Sequence, residues 1–369
     1  MLVALSGGVD SSVAAWKLHR DGWNVDTAYI RTWLNESELG DCPATEDIET
    51  AAAAADSIGV PFRIINLVQE YREKVVSYLV NGYKSGITPN PDIMCNREMK
   101  FGVFRAIAAS EGYTHIATGH YCRIVYKKGG EPTLHEGMDP NKDQSYFLTL
   151  TRREDFRNVL FPVGEMTKGE VRQLAGQAGL PNAEKKDSQG ICFLGKVKID
   201  EFLAQYIEDQ PGPIVTVDGR TLGMHKGLHS FTIGQRRGIG VPSNTDNEAF
   251  VVVAKNYQTN SLVVGFDRPG TPLLYQKTAH VVDLNWLAEP VSPGEELLAK
   301  PRYRDSKQNV VITRVDDSSF TVTFAKSQRA LAKGQVLSLY RGTQLIGGGV
   351  YDSFEHISED HHTSGGSLQ

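Results

Sequence analysis

Ser6-Gly7-Gly8-Val9-Asp10-Ser11-Ser12 lies between the apolar run Leu2–Leu5 and the helix-patterned run Ser11–Arg20, and its reading decides the fold of the first part of the chain. A strand that turns through two glycines into a helix leaves the first N–H groups of that helix pointing outward, where an anion can sit. Ser6, Ser11 and Ser12 bring hydroxyls to the same cradle. A Walker loop would need Lys before its Ser or Thr, and Asp10 stands in that neighbourhood instead. A dinucleotide fingerprint fails on glycine spacing.

Outward from the loop, Val25–Ile30, Phe62–Asn66 and His115–Thr118 predict further strands, and Thr45–Ile58, Gln69–Lys84 and Arg97–Glu111 predict helices. That alternation is the pattern of an α/β domain, a parallel sheet covered by helices. A polar, helix-leaning stretch follows from Asp143 to Ile207, with helices expected at Lys168–Ala178 and Asp200–Ile207. At Pro211-Gly212-Pro213 the character changes. Asp218-Gly219 reads as a hairpin turn, and Val251–Ala254, Ser261–Val264, Val310–Arg314, Phe320–Phe324 and Val336–Tyr340 read as short strands of small barrels. The expected division is residues 1–208, a nucleotide-binding domain with a helical extension; 209–270, a small central β domain; 271–357, a C-terminal β-barrel; and a polar tail at 358–369.

Bulk properties exclude some classes. A net charge of −5 over 369 residues argues against non-specific coating of nucleic acid, yet Arg152, Arg153 and Arg157, Lys185 and Lys186, Arg236 and Arg237, and Lys300, Arg302 and Arg304 form local basic clusters. No apolar run reaches the length of a membrane span, and a first strand beginning at Leu2 leaves no room for a signal peptide, so the cytoplasm is the expected location. The four cysteines, at 42, 95, 122 and 192, include no close pair. Neither a zinc knuckle nor a Cys-x-x-Cys motif can be built from them, and no resident metal site is expected.

Two cysteines nevertheless have unusual surroundings. Cys95 ends the run Thr88-Pro89-Asn90-Pro91-Asp92-Ile93-Met94-Cys95, just ahead of the helix expected from Arg97. A thiol at a helix N-terminus has a lowered pKa, and Asp92 could move or orient a proton beside it. Cys192 follows the turn-forming Asp187-Ser188-Gln189-Gly190, with Lys185 and Lys186 close by, so it is expected to titrate below an ordinary thiol. Taken singly, each cysteine is more often an inert core residue.

The loop at Ser6 resembles the SGGxDS motif of the ATP pyrophosphatase (PP-loop) superfamily. Read together with Thr88–Asn96, Ala117–Tyr121 (ATGHY), Asn141–Leu148 (NKDQSYFL) and Asp187–Phe193 (DSQGICF), it resembles the tRNA-specific 2-thiouridylases. The resemblance runs from Ala4 to Gly349, and His229–Gly240, Arg302-Tyr303-Arg304 and Gly347–Gly349 look like that family's central and C-terminal β domains. It implies an adenine nucleotide alpha hydrolase-like N-terminal domain. ATP with Mg²⁺ would be held at Ala4, Leu5, Ser6, Gly7, Gly8, Val9, Asp10 and Ser11, and at Ile30 and Gly119. The implied reaction adenylates the C2 oxygen of the wobble uridine and then replaces that oxygen with sulfur. Cys192 would carry the persulfide, Cys95 would attack it or the activated carbon, and a Cys95–Cys192 disulfide would close the cycle. Asn90, Pro91 and Asp92 would meet the target base, with Asp92 the acid–base group; His120, Lys142, Asp143, Gln144, Arg302, Tyr303 and Gln335 would touch tRNA. A sulfur-donor protein is the further implied partner, and nothing demands more than a monomer. Cys42 and Cys122 are read as incidental. Two rival readings are an amide-forming or 4-thiouridine-forming member of the superfamily and an RNA-binding protein that has lost catalysis. Paired cysteines speak against the amide-forming branch, which needs no sulfur relay.

Overall fold

The computed structural model describes residues 1–33, 43–126, 131–186, 199–242 and 248–355; Cys42, Cys192 and the run Asp187–Phe193 lie outside them. The first domain is built on β1 (Leu2–Ala4), α1 (Val9–Arg20), β2 (Asp26–Arg31), α2 (Pro43–Ile58) and β3 (Phe62–Asn66). A continuous helical run follows, α3 (Val68–Tyr71), a wider π-type stretch (Arg72–Val76) and α4 (Ser77–Lys84). A second such run comprises α5 (Pro91–Met94), a π-type stretch (Cys95–Phe104) and α6 (Arg105–Ser110). With β4 (Ile116–Ala117) and β7 (Val159–Leu160) the sheet has the parallel order β3-β2-β1-β4-β7. Its fifth strand, β7, falls inside the stretch expected to lean helical.

Strand alternation assigns the helices to faces. Val3, Leu5 and Tyr29 pack with Val13, Ala51 and Ala55 on one side, under α1 and α2, and α7 (Lys168–Gln177) adds Val171 and Ala175 there. Leu2, Ala28 and Ile30 point to the other side, against Tyr71, Leu79, Cys95, Met99, Phe101 and Phe104. The phosphate-loop helix and the helix carrying Cys95 therefore cover opposite faces of one sheet. They can meet only at the carboxyl edge of its strands.

After α8 (Ile199–Leu203) the central domain forms a four-stranded sheet from β8 (Gly212–Thr216), β9 (Thr221–His225), β10 (Phe250–Asn256) and β11 (Ser261–Phe266), in the order β10-β11-β8-β9. Asp218-Gly219 makes the expected turn, with Gly219 at φ +88° and its N–H donated to the Thr216 carbonyl. The last six strands, β12 (Tyr275–Trp286), β13 (Glu296–Lys300), β14 (Gln308–Val315), β15 (Phe320–Arg329), β16 (Val336–Arg341) and β17 (Gln344–Glu355), close on themselves through β12–β17 pairing. The glycines at 347–349 make that closure possible: side chains there would lie 2.1 Å from the Asn285 carbonyl, 1.9 Å from that of Leu337 and 2.5 Å from that of Val282. A hairpin of the first domain, β5 (Cys122–Val125) and β6 (Thr133–Glu136), extends the barrel sheet along β17. The barrel and the nucleotide-binding domain thus share hydrogen-bonded structure. Among the described residues, no helix is long and apolar enough to cross a membrane.

Candidate active site

Strand order reverses direction around β1, with β2 on one side and β4 on the other, and the crevice at the carboxyl end of such a switch point is where open α/β sheets bind ligands. The loop after β1 opens into it. Gly7 sits at φ +77°, and a side chain there would lie 2.4 Å from the Asp47 carbonyl of α2, so only glycine fits the turn. Gly8 caps α1 without a side-chain hydrogen bond. The hydroxyls of Ser11 and Ser12 turn back to the Gly8 carbonyl at 3.0 and 3.2 Å, and Ser11 Oγ also accepts from the Ser6 amide at 3.2 Å. These two serines shape the loop more than they extend its donor set; Ser6 remains exposed. Leu5 and Val9 are buried beneath it, and the Leu5 amide pairs with the Ala28 carbonyl at 2.8 Å. Ala4 ends β1 and Ile30 lies one residue before the end of β2 at the same crevice, and Gly119 follows β4 so closely packed that a side chain would lie 2.6 Å from the Ser11 nitrogen.

Three residues to which the sequence reading gave no role complete this loop. Lys168, first in α7, donates to both carboxylate oxygens of Asp10 at 2.7 and 2.9 Å, and the Tyr121 hydroxyl donates to Asp10 Oδ1 at 2.7 Å. Asn182 donates to the Gly7 carbonyl at 3.0 Å and to Ser12 Oγ at 2.9 Å. The signal for Lys168 was available: Thr167 and Glu170 form a capping box, which makes Lys168 the first helical residue. Its partner 158 residues away was not.

The segment with Asp92 and Cys95 departs from its expected geometry. Asn90 caps the helix, accepting from the Ile93 amide at 3.2 Å, and Pro91 occupies the first turn, where its missing N–H is harmless. The helix therefore begins six residues earlier than the Arg97 start read from the sequence. Cys95 lies a turn inside it, fully buried. Burial pushes its thiol pKa up to about 12, with Asp92 adding to the rise and Lys100 opposing it. The expectation of a lowered Cys95 pKa is overturned, because desolvation outweighs the helix dipole and nearby cations. Cys122 is also buried, and its thiol is raised for the same reason.

A buried relay joins the two motifs. Asn96 Nδ2 donates to the Asp92 carbonyl at 3.0 Å, so its Oδ1 is left to accept from His120 Nε2 at 3.0 Å; His120 Nδ1 then accepts from the Thr118 hydroxyl at 2.7 Å. Burial, with Lys100 second, holds the His120 pKa well below its ordinary value, consistent with this neutral tautomer. Thr118 precedes Gly119, which packs on the start of α1. The Cys95 helix and the phosphate loop, on opposite faces of the sheet, are connected here through four hydrogen-bonded groups, Asp92, Asn96, His120 and Thr118, and the packing of Gly119.

The residues assigned to tRNA fall into two kinds. Lys142, Arg302 and Tyr303 are partly exposed, although Arg302 pairs with Asp305 at 2.8 Å and the Tyr303 ring packs on Phe147 at 4.2 Å between centroids. Asp143, His120 and Gln144 are engaged internally. Asp143 is 5% exposed, ion-paired to Lys300 at 3.0 Å and hydrogen-bonded to the amides of Gly137 and Ser145. Gln144 accepts from the Tyr121 amide at 3.0 Å, and Gln335 donates to the carbonyls of Thr88 and Pro89. Among the described residues no cluster of three or more His, Cys, Asp or Glu side chains could hold a metal ion.

Comparison with known proteins is consistent along most of the chain. Three family models match in succession: a tRNA methyl transferase HUP domain over residues 1–196, a tRNA methyl transferase PRC-barrel domain over 200–266 and an aminomethyltransferase β-barrel domain over 276–351. A tRNA-specific 2-thiouridylase of Akkermansia muciniphila is 47% identical over 356 residues, 96% of this chain and 99% of that protein. One of Bacillus subtilis is 40% identical, covering 95% of this chain and 94% of that protein. Among solved structures, a 4-thiouridine synthetase–RNA complex with bound ATP overlaps 55% of this chain and 49% of that one, at a TM-score of 0.35 and 22% identity.

Proposed function

This chain belongs to the tRNA-specific 2-thiouridylases, and on that premise we propose that it uses ATP to convert the C2 oxygen of the tRNA wobble uridine to sulfur. The single observation that carries the reading is the relay Asp92–Asn96–His120–Thr118, which ties the loop proposed to meet the base to the strand end beside the phosphate loop. ATP activation and base chemistry then belong to one site.

In this scheme the N-terminus of α1, with Gly7 and Gly8, holds the phosphates, and Ile30 and Gly119 bound the adenosine side. The uridine C2 oxygen attacks the α-phosphorus, pyrophosphate leaves, and the oxygen becomes part of a good leaving group, AMP. Sulfur arrives as a persulfide on Cys192, delivered by a donor protein; its outer sulfur bonds to C2 and AMP leaves, while the Cys95 sulfur attacks the Cys192 sulfur and breaks the persulfide S–S bond, ending in a Cys95–Cys192 disulfide that requires reduction. Cys95 is fully buried, so in this scheme it meets the incoming sulfur only after the surroundings of its helix rearrange. Asp10, the carboxylate of the proposed phosphate loop, is already ion-paired to Lys168, so the residues present suit a magnesium ion arriving on the ATP phosphates better than one resident in the protein. Lys142, Arg302 and the exposed Arg236 offer phosphate contacts to tRNA.

The domain models carry methyl transfer in their descriptions, whereas the full-length relatives are thiouridylases. The buried Cys95 beside Asp92 supports the second, since methyl transfer to RNA needs no sulfur relay. The deciding experiment is mass spectrometry of nucleosides from tRNA incubated with enzyme, Mg-ATP and a sulfide source, for wild type, Cys95→Ser and Cys192→Ser. The expected result is ATP-dependent 2-thiouridine with wild type only. Methylated uridine, or no modified nucleoside while ATP is still cleaved to AMP, would overturn the assignment.

A further inference from the structure

Resting on that reading, we propose that the C-terminal barrel sets the conformation of the base-contacting loop, with Gln335 as the positioning residue. Gln335 was assigned to tRNA contact by resemblance, but its side-chain amide is turned onto the protein. Nε2 donates to the Thr88 carbonyl at 2.8 Å and reaches that of Pro89 at 3.4 Å. The Thr88 amide in turn donates to the Lys333 carbonyl at 2.8 Å. Between them Gly334, at φ +86°, lets the two backbones touch: a side chain there would lie 2.9 Å from the Ile87 Cβ and 3.1 Å from the Thr88 backbone. The turn Lys333-Gly334-Gln335 and the segment Ile87–Pro89 thus form one interlocked unit.

The opposite side of that segment is held equally closely. A side chain at Gly82 in α4 would lie 2.7 Å from the Pro89 ring, and the Asn90 amide donates to the Tyr78 hydroxyl at 3.3 Å. Ile87–Pro89 is gripped between α4 and the barrel, and the next residue, Asn90, caps the helix bearing Asp92 and Cys95. The barrel can serve as a fixed reference because it is itself anchored to the first domain. Asp143 pairs with Lys300 at 3.0 Å, the Tyr146 hydroxyl donates to the Val336 carbonyl at 2.9 Å, and Asn285 Nδ2 donates to the carbonyls of Thr149 and Thr151 at 2.7 and 2.8 Å. The clamp turn is tied down too, by Gly334 to the Tyr351 carbonyl at 3.0 Å and by Tyr351 to the Gln335 carbonyl at 2.9 Å. Glutamine suits the position because two carbonyl oxygens face it and its side-chain amide carries two N–H donors.

The test compares Gln335→Glu, which keeps the length and removes the donor, with Gln335→Met, which fills the same space and keeps a foldable variant in hand should the carboxylate prevent folding. Two readouts are needed: amide hydrogen exchange of Thr88–Asn96 in the free enzyme, and kcat and KM for tRNA thiolation. Loss of the clamp is expected to speed exchange across Thr88–Asn96 about tenfold, the scale of one or two hydrogen bonds, and to lower kcat while leaving KM for tRNA near wild type. A raised KM with unchanged kcat and unchanged exchange would make Gln335 a direct tRNA contact and overturn the proposal. Should wild-type enzyme make no 2-thiouridine, the proposed function fails, while the exchange measurement still decides the clamp.

Discussion

Replacing Gly119 by Ala adds one methyl group at a crowded point of the nucleotide crevice. Gly119 does not occupy a left-handed conformation, so the effect is steric and not a matter of backbone preference. The new carbon would lie 2.6 Å from the Ser11 nitrogen and 2.8 Å from the Asp10 carbonyl carbon, about 0.8 Å inside the 3.4 Å at which ordinary contact begins. Both neighbours are backbone atoms at the start of α1 and cannot swing aside. Either β4, held between β1 and β7, moves away, or the phosphate loop does. Overpacking of this kind costs about 1–3 kcal/mol of stability. If the loop takes up the shift, one charge-assisted bond to a phosphate is misplaced, worth about 1.5–3 kcal/mol, or roughly 10- to 150-fold in Kd. Calorimetric titration with a non-hydrolysable ATP analogue, alongside thermal unfolding, reads both routes. A variant with wild-type Kd and wild-type Tm would show that the close approach has no role in positioning the loop.

Lys168→Met leaves the Asp10 carboxylate, among the described residues, with only the Tyr121 hydroxyl on it, so ATP affinity is expected to fall at least about tenfold; unchanged titration by ATP would rule out the charge argument. Cys95 in the free enzyme is expected to resist alkylation until the pH approaches 12, and peptide mass spectrometry showing it modified at the rate of an ordinary thiol near pH 9.0 would contradict its burial. The same shift predicts an alkaline loss of stability. Above the ordinary thiol pKa of 9.0 the unfolded chain releases a proton that the folded chain keeps, so stability declines between pH 9.0 and about 12, less steeply in Cys95→Ala. His120 has the opposite sign: its folded pKa lies well below 6.5, so the unfolded state takes up the proton first and stability falls as pH drops below 6.5. Acid unfolding of His120→Gln that is as pH-dependent as wild type in that range would refute this.

Much of the molecule was legible in the linear chain because it is governed by neighbours. The phosphate loop, strands β1 to β3, helices α1, α2 and α7, and the turn at Asp218-Gly219 follow from alternation, caps and glycines acting over a few residues. The grouping of motifs pointed to the family by itself. What tertiary structure alone decided are quantities set by distant partners. Cys95 looked like an activated thiol from its expected place just ahead of a helix N-terminus, and became a protonated one because it lies inside the helix, where Met99, Phe101 and the sheet exclude water around it. Asp143 and Gln335 looked like surface contacts and became internal ties, because Lys300 and Thr88 reach them across 157 and 247 positions of sequence. The hairpin β5–β6, written into the first domain, extends along β17 the sheet of a barrel formed more than a hundred residues later. Local sequence determines which backbone shapes are accessible; desolvation and long-range hydrogen bonding, which set protonation and position, exist only once the chain has closed on itself.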